Sequence, residues 1–484
     1  MKLKALGAAL LVSTTALAQT PPAEPKPSTP ETAAPPAAPA PVPAPVKPPP
    51  AVAAPAAAPA PAAAPAPQFT FALRGFVSMS AAWQSGSFFL SEGQQSLAAA
   101  TPAPGTLVDK NSLTFDVRQS RFNFSVKGPQ VLFGATPSAV LEIDFYGGNT
   151  GGNFGNVSIL PRMRTAYSEL NWGNNRLQLG QQNDLIFAMA PTSLSHIGFP
   201  LGYFTGNTGW RRPGLFGFHN LPVNKDVKVE FAWEVGRSQW ADNGVCAVTD
   251  VDPTTPGNQP VGACAGIGAG QSAAANGITL GEASAAPAVE GRFALSYGKL
   301  LTAFVAGHYN QVDLTGVGVT TAAVVNSISV TSYNAGAKLF FDQMKPFTVT
   351  LQGTGFVGKN VSPLIGDFIG FRLGSLQNPD VETIGWWGQA GLGFDKFSVW
   401  ALYGDQKPNR TDAGRAAATG GRLENKTKNV IAMYRDGGYG LSAEWINFKT
   451  TNAVTFTGAG DARRVDTTSE SKADQFMLTA NYFF

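Results

Sequence analysis

Period-two alternation of apolar and polar residues runs through most of this 484-residue chain, and it limits the folds that the chain can adopt. In such a segment one face of an extended strand is apolar and the other is polar or charged. After the first 18 residues, no apolar run reaches the length of about 18 residues that a transmembrane helix needs. The sequence therefore predicts an all-β fold. Sixteen segments show the pattern, namely residues 69–84, 111–128, 138–147, 161–173, 175–183, 213–221, 225–236, 287–298, 300–311, 326–341, 345–358, 381–394, 396–405, 426–437, 439–450 and 473–484.

The first and last segments show the alternation clearly. Chain ends usually fray because nothing holds them, whereas here an apolar row continues to the last residue. This row predicts that the last strand pairs with the first and closes the sheet. The row consists of Phe476, Leu478, Ala480, Tyr482 and Phe484, and the first strand presents Phe69, Phe71, Leu73, Val77, Met79 and Trp83.

The connections between segments alternate in length. Tight turns lie near residues 173–174, 298–299, 342–345, 395 and 437–438. Long loops rich in Gly, Asn, Ser and Thr span residues 85–110, 184–212, 237–286, 359–380, 406–425 and 451–472. An even strand number with short turns at one end and long loops at the other predicts a transmembrane antiparallel β-barrel of 16 strands.

The alternative is a soluble β-sandwich or lectin-like domain, which would bury its apolar face between two sheets. Such a domain rarely needs sixteen strands with two classes of loop length. Lipid offers no hydrogen-bond partners, so a membrane sheet must pair every strand and close. The barrel explains both observations.

The N-terminal region carries export and spacer signals. Lys2 and Lys4 precede an apolar run and the small-residue site Ala16-Leu17-Ala18, which predicts a signal peptide over residues 1–18. Residues 19–67 are Pro/Ala-rich, with 19 of the 36 prolines in residues 20–67, and predict an extended spacer of up to about 150 Å at roughly 3.1 Å per residue. The folded body is then 68–484. Together these features predict the outer membrane of a Gram-negative bacterium, with the spacer in the periplasm.

Charge and cysteine content exclude several classes of function. Residues 68–484 contain 31 Lys+Arg and 30 Asp+Glu, so there is no global basic field for nucleic acid. Cys246 and Cys264 lie in one Gly/Pro/Asn/Asp-rich segment, and in an exported protein they predict a disulfide in a surface loop, with two free thiols as the alternative. No histidine lies close to them in the sequence, so a metal pair is not expected.

Sixteen strands exceed the number whose side chains fill a barrel, so a water-filled channel is expected unless something plugs it. The segment "QQNDLIFAMAPTSLSHIGFPLGYFTGNTGWRRPGLFGFHN" follows the fifth strand and contains the third long loop. This loop is unusually apolar for a surface loop, with Phe187, Met189, Ile197, Phe199 and Phe204 among its residues. It is predicted to fold inward and narrow the pore. The alternative is a trimer-contact or lid loop.

Arginines recur on the polar face of the predicted strands. Guanidinium groups stay ionised and match carboxylate or phosphate, so a row of them can guide anions. We favour arginines on one wall facing acidic groups on another; in the alternative, Arg and Asp/Glu pair across neighbouring strands and only hold the wall rigid. A phase change near Gln119-Ser120 suggests a β-bulge before Arg121. The predicted pore-lining and constriction residues are Arg74, Arg118, Arg121, Arg162, Arg164, Arg176, Arg211, Arg212, Arg292, Asp116, Glu142 and Asp144, with Glu230 and Glu234 also facing inward.

Catalysis receives little support from the sequence. Hydrolytic barrels need a Ser and a His oriented by a third group, and the chain has three histidines, His196, His219 and His308, with no suggested Ser–His constellation and no GxSxG motif. Metal-ligand spacing is absent from the sequence. The protein is therefore predicted not to be an enzyme and to have no cofactor or metal.

Four motifs, in this order, resemble the DcaP-like family of outer-membrane porins: "DVRQSRFNFSVKGP", "AVLEIDFYGG", "PRMRTAYSELNWGNNRLQLGQQND" and "GNTGWRRPGL". The resemblance covers residues 111–236, and phosphate-selective porins are the nearest competitor. It implies a homotrimeric diffusion channel that favours small anionic solutes such as dicarboxylates. The chain departs from the family by having the Pro/Ala spacer where those porins often carry a helical segment. Tyr482 and Phe484 resemble the C-terminal signal that the barrel assembly machinery reads.

A structural role is the rival hypothesis. Residues 20–67 are long enough to reach the peptidoglycan layer, so the protein could tether the envelope. The two roles can coexist.

Overall fold

The computed structural model describes residues 68–86, 88–89, 98–99, 110–147, 160–238, 284–313, 327–361, 364, 380–416, 421–459 and 462–484. All of them belong to one compact unit, Pro65–Phe484. The predicted signal peptide and spacer, and the predicted Cys246–Cys264 disulfide, lie outside the described residues.

The described residues form nineteen strand segments and one short helix. They are β1 (Thr70–Gln84), β2 (Phe88–Phe89), β3 (Ala98–Ala99), β4 (Ser112–Asp116), β5 (Arg121–Lys127), β6 (Thr136–Asp144), β7 (Arg162–Asn171), β8 (Asn175–Asn183), β9 (Arg211–Pro222), β10 (Val227–Gly236), β11 (Ala288–Tyr297), β12 (Leu301–Asp313), β13 (Ser327–Phe341), β14 (Phe347–Lys359), β15 (Glu382–Phe394), β16 (Phe397–Pro408), α1 (Arg410–Ala416), β17 (Gly421–Asp436), β18 (Tyr439–Thr457) and β19 (Arg464–Phe483).

Seventeen of these segments form one closed antiparallel barrel, and β2 and β3 pair separately. Because β4 and β5 both pair with β1, they share one position and the barrel has 16 strands. The last strand β19 pairs with β1 and closes the sheet. Phe484 extends this pairing, since its N–H donates to the Gly75 carbonyl at 3.1 Å and its carbonyl accepts from the Gly75 N–H at 3.0 Å. The predicted strand number and closure are confirmed.

The break between β4 and β5 is a β-bulge. Phe76 pairs with Arg121 and Ser80 pairs with Asp116, so three residues of β1 face four residues, 117–120, of the neighbouring strand. The Ser120 N–H donates to the Val117 carbonyl at 3.0 Å, which closes the bulge locally. The extra residue shifts the alternation and turns Arg121 toward the lumen, as the sequence predicted near Gln119-Ser120.

The two faces of the barrel differ sharply. Outward side chains are apolar and exposed, such as Phe71 at 77% and Leu478 at 65%, whereas inward Ser80 and Gln475 are fully buried. An apolar outer band is what lipid requires of a closed sheet. Among the described residues, no helix is both long enough and apolar enough to cross a membrane.

The prediction of a long loop over residues 451–472 is wrong. Strand β18 continues to Thr457 and β19 begins at Arg464, so only a short connection remains. Here both faces are rich in Thr, Ser and charged residues, so the apolar alternation that marks lipid-facing strand is lost while backbone pairing continues. In the same way, β16 and β17 extend into the predicted loop 406–425, which also contains α1.

Deleting Phe484 tests closure. We expect a large loss of folded barrel, because the deletion removes two backbone hydrogen bonds to Gly75, each worth about 1 kcal/mol, and the ring contacts with Phe122 and Tyr482. Heat-modifiable mobility on gels measures the folded fraction. Phe484→Tyr is the matched control and should fold like the parent. Equal folding of the deletion variant would show that closure does not need this residue.

Candidate functional site

The loop between β8 and β9, residues 184–210, is closed at its root by one carboxylate. Asp184 accepts hydrogen bonds from Nε and Nη2 of Arg212, both at 2.8 Å, and from the Trp210 N–H at 2.8 Å. The Asp184 N–H donates to the Trp210 carbonyl at 3.0 Å. The two ends of the loop therefore leave the wall side by side.

From this root the loop crosses the lumen and bonds to the opposite wall. The Thr192 N–H donates to Gln389 Oε1 at 2.7 Å, and Asn207 Oδ1 accepts from Trp387 Nε1 at 2.9 Å. The Ser193 hydroxyl contacts both carboxylate oxygens of Glu444 at 3.0 and 3.2 Å. These partners lie on β15 and β18, far from the root in the sequence.

Apolar side chains of the loop pack on the same wall. Leu201 packs with Ile446, Phe448 and Ala473, and Leu194 packs with Ile431. At the other side Ile186 joins a cluster with residues of β12, β13 and β14, which are Phe304, Ala306, Ile328, Val330 and Phe356. This packing explains the apolar composition of the loop. The inward fold is confirmed, and the lid or trimer-contact alternative is wrong.

Gly206 allows the closest approach between the loop and the wall. Its φ of +142° is a backbone conformation that residues with a Cβ rarely adopt. A Cβ at this position would lie 2.6 Å from the Trp386 backbone. A larger residue here must therefore move the loop away from β15.

An arginine group lies on the wall beside the loop. It comprises four arginines with three carboxylates on β4 to β7 and at the bulge: Arg118, Arg121, Arg162 and Arg164 with Asp116, Glu142 and Asp144. Asp144 accepts hydrogen bonds from Nη2 of Arg162 at 2.6 Å and from Nη1 of Arg164 at 2.8 Å. Glu142 accepts one from Nε of Arg164 at 2.8 Å. Arg118 pairs with Asp116 at 2.8 Å. The group has one more positive than negative charge.

Arg121 is the loosely paired member of this group. Its Nη1 lies 3.6 Å from Glu142, whose carboxylate is already bonded more closely by Arg164. Its Nη2 donates to the Ile197 carbonyl of the loop at 3.3 Å, and 16% of its side chain is exposed. Arg121 therefore lies where the loop meets this wall and carries the least compensated charge of the group.

Aromatic rings contact several arginines of the site, including Arg121, whose guanidinium lies 5.6 Å from the Phe76 ring. The Arg162 guanidinium lies 5.0 Å from the Phe199 ring, 5.4 Å from Tyr146 and 5.6 Å from Trp210. Arg211 is buried with its guanidinium 4.2 Å from the Trp210 ring. Cation–π contacts of this kind stabilise a cation by about 0.5–2 kcal/mol, so these arginines are fixed rather than free to follow a solute.

A second, balanced group lies on β7 to β11. Arg292 donates to Glu230 at 2.8 Å, and Arg176 lies 3.8 Å from Glu230 and 3.6 Å from Glu169. Arg176 is also stacked on Phe218 at 4.6 Å, with 30% of its side chain exposed. Two arginines face two carboxylates here, so this part of the wall has no net charge.

A third group surrounds the loop root and is buried. Arg212 contacts Glu234 at 3.4 Å and Glu290 at 3.9 Å besides its bonds to Asp184. His308 Nδ1 lies 2.7 Å from Glu290. Sequence reasoning included Arg212 and Glu234 but missed Asp184 and Glu290. Asp184 could have been recognised as a carboxylate directly after strand β8, and Glu290 as a carboxylate at an inward position of β11.

Arg74, which was also predicted to line the pore, is exposed near the tight-turn end of β1, away from the loop. The expectation that acidic groups face the arginines from another wall is wrong, because Asp116, Glu142 and Asp144 lie beside them. The opposite wall offers mainly amides and hydroxyls, with Glu444 as a carboxylate that the sequence analysis missed.

The three histidines lie in different places. His196 is in the loop, 3.4 Å from Glu444, and His308 bonds Glu290. His219 faces outward, where it accepts from Trp233 Nε1 at 3.1 Å and stacks on Phe231. The alternation along β9 turns Phe218 inward and His219 outward, so His219 lies away from the inward loop.

Comparison with known proteins supports the architecture. No protein-family model and no curated protein matches the sequence. Among solved structures, the outer membrane channel DcaP of Acinetobacter baumannii aligns with a TM-score of 0.56 at 13% identity, covering 86% of this chain and 97% of that one. The chain has the fold of a DcaP-like porin. The anion-selective porin from Comamonas acidovorans aligns with a TM-score of 0.48 at 12% identity, covering 86% and 100% of the two chains.

Replacing Gly206 with Val tests the constriction. We expect a higher single-channel conductance, because a Cβ at this φ strains the seated loop by about 1–3 kcal/mol and collides with the Trp386 backbone. Gly173→Val is the control, since Gly173 also has a positive φ but has open space around it. Its conductance should match the parent. Unchanged conductance in Gly206→Val would show that this contact does not set the pore size.

Proposed function

We propose that the protein is an outer-membrane porin, a passive diffusion channel for small hydrophilic solutes with a preference for anions such as dicarboxylates. The observation that carries the proposal is the arginine group beside the inward loop. Its four arginines and three carboxylates lie beside the loop and leave one net positive charge for the proposed passage.

The proposed mechanism is electrostatic and needs no chemical step and no cofactor. A solute passes between the loop and the arginine group, where low-dielectric walls strengthen the interaction with fixed charge. The carboxylates keep the guanidinium groups in place, so the excess charge at Arg121 meets the solute. Weak binding at one position permits both entry and release, which conduction requires.

The location and partners belong to the same proposal. The apolar outer surface suits outer-membrane lipid, and the structural neighbour DcaP is an outer membrane channel. We further propose that the barrel assembly machinery inserts the protein, that it forms a homotrimer, and that residues 19–67 lie in the periplasm of a Gram-negative bacterium. The C-terminal aromatic pair and the family motifs support these points.

Ion selectivity is predicted to depend on Arg121. In a planar bilayer under a salt gradient, we expect an anion-selective reversal potential for the parent and a shift toward zero for Arg121→Gln. This variant leaves Glu142 paired with Arg164, so it removes one positive charge without leaving a carboxylate unpaired. Arg74→Gln removes the same charge outside the constriction and should leave selectivity nearly unchanged.

Two outcomes would contradict the proposal. If Arg121→Gln and the parent both show stepwise conductance with equal ion selectivity, the protein is a pore but Arg121 does not determine its selectivity. A folded barrel without conductance would remove the channel itself.

The second candidate is a structural barrel that tethers the envelope to peptidoglycan through residues 20–67. The Pro/Ala composition of that segment favours this role. Deletion of residues 20–67 is predicted to leave solute uptake normal, measured as rate of uptake by whole cells, if conduction is the main role. Loss of envelope integrity with normal uptake would support the tether in addition. A lower rate of solute uptake without leakage of the envelope would show that the spacer contributes to conduction.

A further inference from the structure

The buried group at the loop root contains an unusual carboxylate. Glu234 is 1% exposed, and neither of its carboxylate oxygens has a hydrogen-bond partner among the described residues. Its charged neighbour is Arg212, whose Nε lies 3.4 Å away but already donates to Asp184 at 2.8 Å. A buried carboxylate with no donor is costly, so something must compensate Glu234.

Two more carboxylates point at the same position. One oxygen each of Asp184, Glu234 and Glu290 lie within 4.8 Å of one another, and all three residues are buried. Oxygen ligands of Ca²⁺ lie about 2.3–2.6 Å from the ion, so one ion can bind oxygens at this spacing. The three residues come from the loop root, β10 and β11.

The charges agree with a divalent ion. Three carboxylates face one guanidinium, that of Arg212, among the charged groups described within ion-pair distance of them, and His308 is the remaining ionisable neighbour. The three carboxylates and the one guanidinium sum to two negative charges. Oxygen ligands without thiolate favour a hard cation.

The existing hydrogen bonds leave room for ligation. Asp184 and Glu290 already accept bonds, Asp184 from Arg212 and Trp210 and Glu290 from the Ile186 N–H at 3.1 Å. Glu234 keeps all its acceptor positions open. We propose that Glu234 is the main ligand of a Ca²⁺ site, completed by Asp184 and Glu290, that fixes the root of the inward loop to the barrel wall.

The test is Ca²⁺ binding to the full-length folded protein in detergent, measured by calorimetric titration after EDTA treatment. We expect saturable binding, weakened at least about tenfold in Glu234→Gln, since even outer-shell changes alter metal affinity about 10- to 100-fold. Glu230→Gln, on the same strand but paired with Arg292, should bind Ca²⁺ like the parent. Bound Ca²⁺ should also raise the unfolding temperature of the parent but not of Glu234→Gln.

Other results overturn the proposal. If the parent binds no Ca²⁺ and Glu234→Gln is at least as stable as the parent, a proton held between Glu234 and Glu290 compensates the charge instead. If Ca²⁺ binds equally to parent and Glu234→Gln, its site lies elsewhere. Binding is measured without conduction, so these outcomes are independent of the proposed channel function.

Discussion

Closure of the hydrogen-bonded sheet is the constraint on which the rest of the structure depends. In lipid an unpaired backbone group has no water to bond, so the sixteenth strand position must meet the first. Phe484 and Gly75 exchange both of their backbone hydrogen bonds at this seam. Closure fixes which face of every strand is inward, and a single bulge residue at 117–120 is enough to bring Arg121 to that face.

The closed barrel creates a second problem, because its interior is too wide for wall side chains alone to fill. The inward loop fills part of this space and makes many of its contacts with one side of the wall. Its apolar residues and backbone groups cover the amides and hydroxyls of β13 to β19, as with Thr192 on Gln389. On the side of its root the loop packs Leu185 on Phe216, Phe218 and Ala232, and the arginine group lies farther along the wall on β4 to β7. The loop thus bonds its own polar groups to side chains of the opposite wall, as with Asn207 on Trp387.

The sequence predicted the features that depend on local periodicity. Strand number, the bulge and the inward loop could be read from alternation and composition, since each strand repeats the same two-residue pattern. The placement of acidic groups could not, because Glu142 and Arg164 meet through the register of β6 against β7, which no local pattern encodes. The ends of β18 and β19 were missed for a different reason: outside the lipid both strand faces are polar, so pairing continues without alternation.

The loop root shows why charge at such a site must be counted by group and not by residue. Asp184 is compensated by Arg212, and Arg212 is thereby withdrawn from Glu234. Glu234 therefore lacks a full partner, and its burial prevents water from supplying one. The arginine group differs because its carboxylates are outnumbered and its guanidinium groups are partly exposed. The same residue types thus form a net positive group beside the loop and a buried, net negative group at its root.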